Sequence, residues 1–208
     1  MIASLLAALT KLLIGAYPHW RNNLPSGQQR IYFANHTSHL DTLAIWSSFN
    51  AEFRAKIRPV AAKDYWDKGG LRGLIAKKAL NVVMIDREGN SDDPLQPLYT
   101  ALDQGDSLIL FPEGTRSAES QLAAFKSGLY HLRQRYPQVE LVPIYLDNTG
   151  RSLPKGAFLP LPFTCSVTFG EPLQVDAKWD KAEFLHQARQ AVIALSQPLP
   201  QPLPQSAK

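Results

Sequence analysis

The sequence predicts a single α/β domain in which helices cover a mostly parallel or mixed β-sheet, with an amphipathic helix at the amino terminus. Short β-branched or apolar runs alternate along the chain with longer segments of helical spacing, which is typical of α/β folds. A length of 208 residues fits one domain better than two, and 45% hydrophobic residues can fill a sizeable core. Several predicted strands also run directly into polar clusters, where such folds place their binding sites.

The chain divides into three predicted parts. Residues 1–21 hold an apolar helical segment, residues 22–196 form the α/β domain, and residues 197–208 carry the sequence Gln-Pro-Leu-Pro twice in tandem. Prolines at this density exclude a helix, so we expect the last part to be an extended, disordered tail.

The apolar segment at residues 1–16 is helical in composition, and Gly15 and Pro18 end it. It is too short and too interrupted to span a bilayer, which takes about 20 apolar residues. Two interpretations stay open. The segment is either a first helix packed on the core or a helix at a membrane interface. The second would place aromatic and basic side chains at headgroup level, namely Tyr17, His19, Trp20 and Arg21.

The elements of the domain follow from hydrophobic spacing. Strands are predicted for the run beginning at residue 31 and for residues 59–62, 81–85, 107–111, 140–146 and 165–169. Helices are predicted for the run ending near residue 49 and for residues 71–80, 94–104, 124–135 and 181–195. Because proline lacks a ladder donor, Pro143 predicts that its strand lies at an edge or carries a bulge. Polar clusters follow the strands at Asn35, Asp86 and Phe111, so we expect these exits to converge on one side.

Charge and cysteine content narrow the possible partners. A net charge of +4 and a pI of about 9.2 fit phosphate-bearing substrates, an acidic carrier or a membrane surface. The chain lacks the dense Lys/Arg patch of a nucleic-acid binder. The single cysteine, Cys165, excludes an internal disulfide, and its apolar surroundings favour a buried packing role over a nucleophile.

The most informative stretch is Asn-His-Thr-Ser-His-Leu-Asp, where the first domain strand passes into a helix. If His36 precedes the helix and Asp41 lies in its first turn, the two side chains can meet. A histidine held by a carboxylate can act as a general base. The same spacing fits a capping box in which Asp41 only satisfies backbone donors, and spacing alone favours this alternative. A metal site that adds His39 is disfavoured because no further ligand follows at a familiar spacing, so we expect His39 to be exposed.

A second polar cluster, Phe-Pro-Glu-Gly-Thr-Arg-Ser, follows the strand at residues 107–111. Gly114 would let the backbone approach a ligand, and Thr115, Arg116 and backbone N–H groups could bind phosphate oxygens. Arg87, at another strand exit, could add a positive charge. An ordinary solvated turn and an ion pair of Arg87 with a neighbouring acid are the alternatives on these residues alone.

These two clusters, at this separation, resemble the motifs of the glycerolipid acyltransferase family, whose best-known members are 1-acylglycerol-3-phosphate acyltransferases. The family's histidine-x4-aspartate motif matches His36 and Asp41, and its arginine block matches Val-Met-Ile-Asp-Arg ending at Arg87. Its Glu-Gly-Thr-Arg block matches residues 113–116, and its short proline block matches residues 142–144. The resemblance extends from about residue 31 to residue 146.

The resemblance implies an O-acyltransferase that uses acyl-CoA or acyl-carrier protein as donor and a lysophospholipid, lysophosphatidate first, as acceptor. His36 would deprotonate the acceptor hydroxyl and Asp41 would orient His36, with no acyl-enzyme, metal or other cofactor. The remaining motif residues would hold the acceptor, namely Arg87, Glu113, Gly114, Thr115 and Arg116. Without a long apolar segment, we expect peripheral attachment to the cytoplasmic face of a membrane.

Three alternatives stay open. The acceptor could be another lysolipid or an alcohol, with the same chemistry. The chain could be a noncatalytic lipid- or phosphate-binding relative, although such a protein has no need of a base at His36. A metal-dependent hydrolase built on His36, His39 and Asp41 is the third, and insensitivity to chelators would dismiss it.

Overall fold

The computed structural model describes residues 2–63, 80–86, 93–116, 122–152 and 164–197, and all structural statements concern these residues. Their helices are α1 (Ile2–Ile14), α2 (Asp41–Ser47), α3 (Ala51–Ala55), α4 (Gln96–Asp103), α5 (Gly128–Arg135), α6 (Thr149–Ser152) and α7 (Lys181–Ala194). Their strands are β1 (Tyr17–Trp20), β2 (Arg30–Ala34), β3 (Ile57–Ala62), β4 (Val83–Ile85), β5 (Ser107–Leu110), β6 (Glu140–Asp147) and β7 (Ser166–Phe169).

The described strands form one mixed sheet of order β1-β7-β6-β2-β5-β3-β4. The strands from β6 to β4 run parallel to one another, whereas β7 pairs antiparallel with β6 and β1 pairs parallel with β7. The predicted α/β fold with a mostly parallel or mixed sheet is confirmed, as is the amino-terminal helix.

The core lies on both faces of the sheet because successive side chains of a strand point to opposite faces. Along β2, Tyr32 and Ala34 pack with α1 and α2, while Ile31 and Phe33 pack with α4, α5 and α7. All five residues of β2 are buried, as expected for a central strand covered on both faces. Cys165 is fully buried in the first of these layers, which confirms its packing role.

The path of the chain places a crevice beside the end of β2. After β2 the chain passes through α2 and α3 to β3, beyond β5, whereas after β5 it passes through α5 to β6, on the other side of β2. The two connections therefore leave in opposite directions from neighbouring parallel strands. In open α/β sheets, ligands bind at this topological switch point, outside the carboxyl ends of the strands.

The prediction that Pro143 marks an edge strand or a bulge is wrong, because β6 lies between β2 and β7. Glu140 N–H donates to the Gln29 carbonyl, on the side of β6 that faces β2. The backbone groups of successive residues in a strand point to alternate sides, so those of Pro143, three residues later, point toward β7. The pairing of β6 with β7 ends at Ile144 and Phe169, so β7 has no residue opposite Pro143 that needs a backbone N–H from it. The Pro143 carbonyl still accepts from Gly170 N–H at 2.9 Å, and a Cβ on Gly170 would lie 2.9 Å from Pro143 Cγ.

The amino-terminal segment also differs from expectation. Residues 17–20 form strand β1, and Trp20 stacks on Phe169 at 3.7 Å between ring centroids, so part of its ring is used in packing within the protein. The guanidinium of Arg21 likewise donates to the backbone carbonyls of Leu195 and Gln197. No helix among the described residues combines the length and apolar content needed to cross a bilayer.

The other predicted elements agree in position with small shifts. α5 begins at Gly128 rather than at residue 124, and neither α3 nor the short α6 was predicted. The predicted helix at residues 71–80, except for its last residue, and the tail beyond residue 197 lie outside the described residues.

Candidate active site

The site begins where β2 leaves the sheet. Asn35 is buried, and its side-chain amide donates to the Leu146 carbonyl at 2.9 Å while its Oδ1 accepts from Leu146 N–H at 2.7 Å. These two hydrogen bonds to β6 take the place of the backbone ladder where the chain leaves the sheet. His36 therefore starts its loop from a fixed point, a role for Asn35 that spacing along the sequence does not indicate.

His36 and Asp41 meet as the loop-to-helix interpretation predicts. His36 Nδ1 lies 2.8 Å from Asp41 Oδ2, and Asp41 is the first residue of α2. The same oxygen accepts from the backbone N–H groups of Thr37 at 2.7 Å and Ser38 at 2.8 Å. Asp41 is fully buried, so it both orients the histidine and satisfies backbone donors. Because Asp41 accepts these bonds, His36 carries its proton on Nδ1, which leaves Nε2 as the basic nitrogen.

The ring of His36 is also held from its face. It stacks on Phe111, with 4.1 Å between ring centroids and 18° between ring planes. Leu110, the last residue of β5, is in register with Phe33 of β2, so Phe111 and His36 leave neighbouring strands together. Sequence reasoning missed Phe111 as a site residue because the pairing of these two strands is not visible in either motif.

Glu113 ties this histidine loop to two further segments. Its Oε1 accepts from His36 N–H at 2.7 Å, and its Oε2 accepts from Ala123 N–H at 2.9 Å. The residue is 4% exposed, and burial raises the pKa of its carboxyl group, opposed by these two hydrogen bonds. The motif predicts that Glu113 helps to hold an acceptor, whereas both oxygens face backbone donors.

Gly114 follows in a tight turn with φ +76°. Its N–H donates to the Phe111 carbonyl at 3.0 Å, so this N–H is used within the turn. The side chain of Lys126 lies across it, since a Cβ on Gly114 would come within 2.8 Å of Lys126 Nζ. Glycine is therefore required by the backbone conformation and by the lysine, which brings a positive charge to this turn.

Arg116 reaches back to the histidine motif. Its Nη1 lies 2.5 Å from Nε2 of His39, which is exposed as the sequence predicts. Thr115, between Gly114 and Arg116, is exposed. His39 thus faces Arg116, and among the described residues no group of three His, Cys, Asp or Glu side chains is arranged to hold a metal ion.

Arg87 lies outside the described residues. Strand β4, which precedes it, runs parallel to β2, so Asp86 follows the same edge of the sheet as His36. β4 is nevertheless three strands from β2 in the sheet, a separation of about 14 Å at the usual strand spacing. Asn35, Asp86 and Phe111 therefore lie at the same edge of the sheet, as predicted, but Asp86 is farther from the other two.

Fold and site together define an α/β protein with a carboxylate-held histidine at the switch point. Beside it lies the turn of Gly114 and Arg116, over which the Lys126 side chain extends. Such an arrangement suits a general base next to a bound anion. Residues 18–147 match the sequence model of the family described as Acyltransferase, and the chain belongs to this family.

Two relatives of this chain carry the same enzyme name. The chain is 30% identical over 156 residues to the 1-acyl-sn-glycerol-3-phosphate acyltransferase LPAT1, chloroplastic, of Arabidopsis thaliana, and the match covers 69% of this chain and 41% of that protein. It is 30% identical over 131 residues to the human 1-acyl-sn-glycerol-3-phosphate acyltransferase alpha, covering 61% and 44% of the two chains. The chain thus spans less than half the length of either relative.

A solved structure shows the same fold. The crystal structure of the 1-acyl-sn-glycerophosphate (LPA) acyltransferase, PlsC, from Thermotoga maritima superposes with a TM-score of 0.73 at 20% sequence identity. The match covers 94% of this chain and 77% of that one.

Proposed function

We propose that this protein transfers a fatty acyl chain from the thioester of acyl-CoA or acyl-carrier protein to the free hydroxyl of a lysophospholipid, with 1-acylglycerol-3-phosphate as the first candidate. The observation that carries the proposal is the contact of His36 Nδ1 with the buried carboxylate of Asp41, at 2.8 Å, beside the turn that carries Arg116. The names of the relatives support the choice of acceptor.

The proposed reaction needs only the two substrates and no metal or other cofactor. Asp41 holds the Nδ1 proton, so Nε2 of His36 takes the proton of the acceptor hydroxyl as its oxygen attacks the thioester carbonyl carbon. The new C–O bond forms, the C–S bond breaks, and the imidazolium returns its proton to the leaving thiolate. Stacking on Phe111 favours the imidazolium, because a cation is attracted to the face of an aromatic ring.

The acceptor's phosphate would be bound by the charges at the second motif. Arg116 can grip two phosphate oxygens, Lys126 adds a point charge, and Thr115 adds a hydroxyl. Arg87 remains a proposed further phosphate ligand. Glu113 and Gly114 contribute in this proposal by shaping the loop, since the carboxylate and the glycine N–H are both used within the protein.

A panel assay tests this proposal. Purified protein is incubated with labelled acyl-CoA or acyl-carrier protein and, in separate reactions, with lysophosphatidate, other lysophospholipids and monoacylglycerol. We expect transfer to lysophosphatidate, unchanged by a chelator. Transfer only to another acceptor would keep the chemistry and change the substrate. Binding of lysophosphatidate without transfer from either donor would indicate a noncatalytic lipid-binding protein instead.

Replacing Arg116 with alanine is expected to raise KM for lysophosphatidate about 10- to 100-fold with a smaller change in kcat. The reason is the loss of a charge-assisted contact of about 1.5–3 kcal/mol to the phosphate, made before and during the reaction. Initial rates over a range of acceptor concentrations measure KM and kcat. Arg133→Ala, which changes an arginine at the end of α5 that leads into β6, is the control. A fall in kcat at constant KM would contradict the assignment.

We also propose peripheral attachment to the cytoplasmic face of a membrane through α1. One side of this helix packs in the protein through Ala7 and Thr10, which are 4% and 5% exposed. Leu5, Leu9 and Leu12, spaced four and three residues apart on the other side, are 69%, 48% and 81% exposed. The two interpretations of this segment therefore apply to different sides of one helix, packing on the inner side and membrane contact on the outer.

Changing Leu5, Leu9 and Leu12 together to glutamine is expected to lower vesicle binding at least about tenfold, since each buried leucine contributes roughly 1.5–3 kcal/mol. Sedimentation with phosphatidylcholine–phosphatidylglycerol vesicles measures the bound fraction. Leu24→Gln removes a leucine that is 70% exposed outside α1 and serves as the control. If the triple variant sediments as fully as the wild type, α1 is not the anchor.

A further inference from the structure

His39 is one of the four unspecified positions inside the histidine-x4-aspartate motif, which gives it no role. It lies in the turn just before α2, three residues after His36, and its Nε2 contacts Nη1 of Arg116 at 2.5 Å. The guanidinium of arginine only donates hydrogen bonds, so Nε2 must be the acceptor and carry no proton. His39 is therefore neutral in this arrangement.

The contact bridges the switch point. His39 and Arg116 are 77 residues apart in sequence and belong to the loops that follow β2 and β5. The turn before His39 is itself held by the Asp41 carboxylate through the Thr37 and Ser38 N–H groups. The orientation of Arg116 is thus coupled to the loop that also carries His36.

The net charge of the site depends on which hydrogen-bond acceptor orients Arg116. A carboxylate in place of His39 would orient the guanidinium but also neutralise it. Ion pairs between described residues join Arg30 with Glu140, His36 with Asp41 and Arg58 with Asp106, and none of these three includes Arg116. The imidazole therefore orients Arg116 without neutralising its positive charge.

We propose that His39 is a positioning residue that determines acceptor specificity. As a neutral imidazole it holds Arg116 in place to bind the phosphate of the acceptor. The inference rests on the proposed acyl transfer and deepens it by assigning selectivity for a phosphate monoester to the contact between His39 and Arg116.

Two substitutions test the inference. His39→Phe keeps a flat ring and removes the acceptor, and is expected to raise KM for lysophosphatidate about tenfold, the effect of losing one hydrogen bond to a charged group, with kcat changed less than about twofold. His39→Gln supplies an uncharged acceptor. It is expected to restore KM to within about threefold of wild type. KM for an acceptor without phosphate should be the same in all three proteins.

A double-mutant cycle separates positioning from a merely structural effect. If His39 acts through Arg116, His39→Phe should change KM little further in a protein that already carries Arg116→Ala. An undiminished effect in that background, or an unchanged KM in His39→Phe alone, would overturn the inference while leaving acyl transfer intact. If the wild type transfers no acyl group to any acceptor, the proposed function fails. The same cycle measured on Kd for 1-oleoyl-lysophosphatidate then decides the role of His39.

Discussion

Replacing His36 with alanine is expected to lower kcat by about 100- to 10,000-fold while KM for lysophosphatidate stays close to the wild-type value. General-base catalysis contributes a factor of this size, and no other described residue is held to take the proton at this position. The substitution leaves Arg116, the proposed phosphate ligand, unchanged. Steady-state rates with saturating acyl donor and a range of acceptor concentrations measure both constants.

We expect the His36→Ala variant to remain folded, so that a fall in its kcat reports on catalysis. The His36 side chain is partly exposed, at 19%, and Asp41 keeps its bonds from the Thr37 and Ser38 N–H groups. We therefore expect a loss of only about 1–2 kcal/mol in the free energy of unfolding. His186→Ala, which removes an exposed histidine from α7, is the control. Turnover near the wild-type rate in the His36 variant would exclude the general-base assignment.

Replacing Glu113 with alanine is expected to have the largest effect on stability, about 2–5 kcal/mol in the free energy of unfolding. The change leaves the backbone N–H groups of His36 and Ala123 without their acceptors, and each buried unsatisfied donor costs about 1–3 kcal/mol. Activity should fall as well, in kcat more than in KM, because the backbone of His36 is no longer fixed. Urea unfolding and steady-state kinetics on the same preparation measure these effects.

Two further variants sharpen the test of Glu113. Glu113→Gln keeps one oxygen acceptor but turns an amide donor toward the other N–H group, so its loss of stability should be smaller than that of the alanine variant. Glu52→Ala removes an exposed glutamate in α3 and should change the free energy of unfolding by less than about 0.5 kcal/mol. A raised KM at unchanged stability in Glu113→Ala would support the direct contact with the acceptor that the motif predicts.

Glu113 should also make stability depend on pH. Because burial raises the pKa of its carboxyl group in the folded protein, the folded state binds more proton than the unfolded chain between the ordinary and the raised value. Its contribution to stability is therefore fully present below the unfolded pKa and decreases as pH rises through this interval. Glutamine does not titrate, so the stability difference between wild type and Glu113→Gln should shrink over the same interval.

Local physical rules accounted for much of this protein. Hydrophobic spacing predicted the strands and helices of the domain to within a few residues, because burial of one or both faces imposes a period on each segment. The meeting of His36 with Asp41 was also predictable. Both residues lie on one short loop that turns into a helix, so the contact depends on five residues of chain and on little else.

The same local rules did not predict the order of the strands in the sheet. Pro143 illustrates this, since a missing donor matters only if a neighbouring strand needs it, and β7 ends just where the proline would have paired. β1 was missed because four residues with a proline and no alternating pattern become a strand only when β7 offers them an edge.

The site beyond the pair of His36 and Asp41 was decided by the pairing of β2 with β5. This pairing stacks Phe111 on His36, turns Glu113 toward the His36 N–H group, and brings Arg116 to His39. Each contact joins residues more than 70 positions apart. The sequence by itself therefore determined which chemical groups are present and which near neighbours meet, because local backbone geometry is encoded in short segments. Only the tertiary structure decided which side chains from distant segments contact one another and hold the loops, because that depends on the strands that lie side by side.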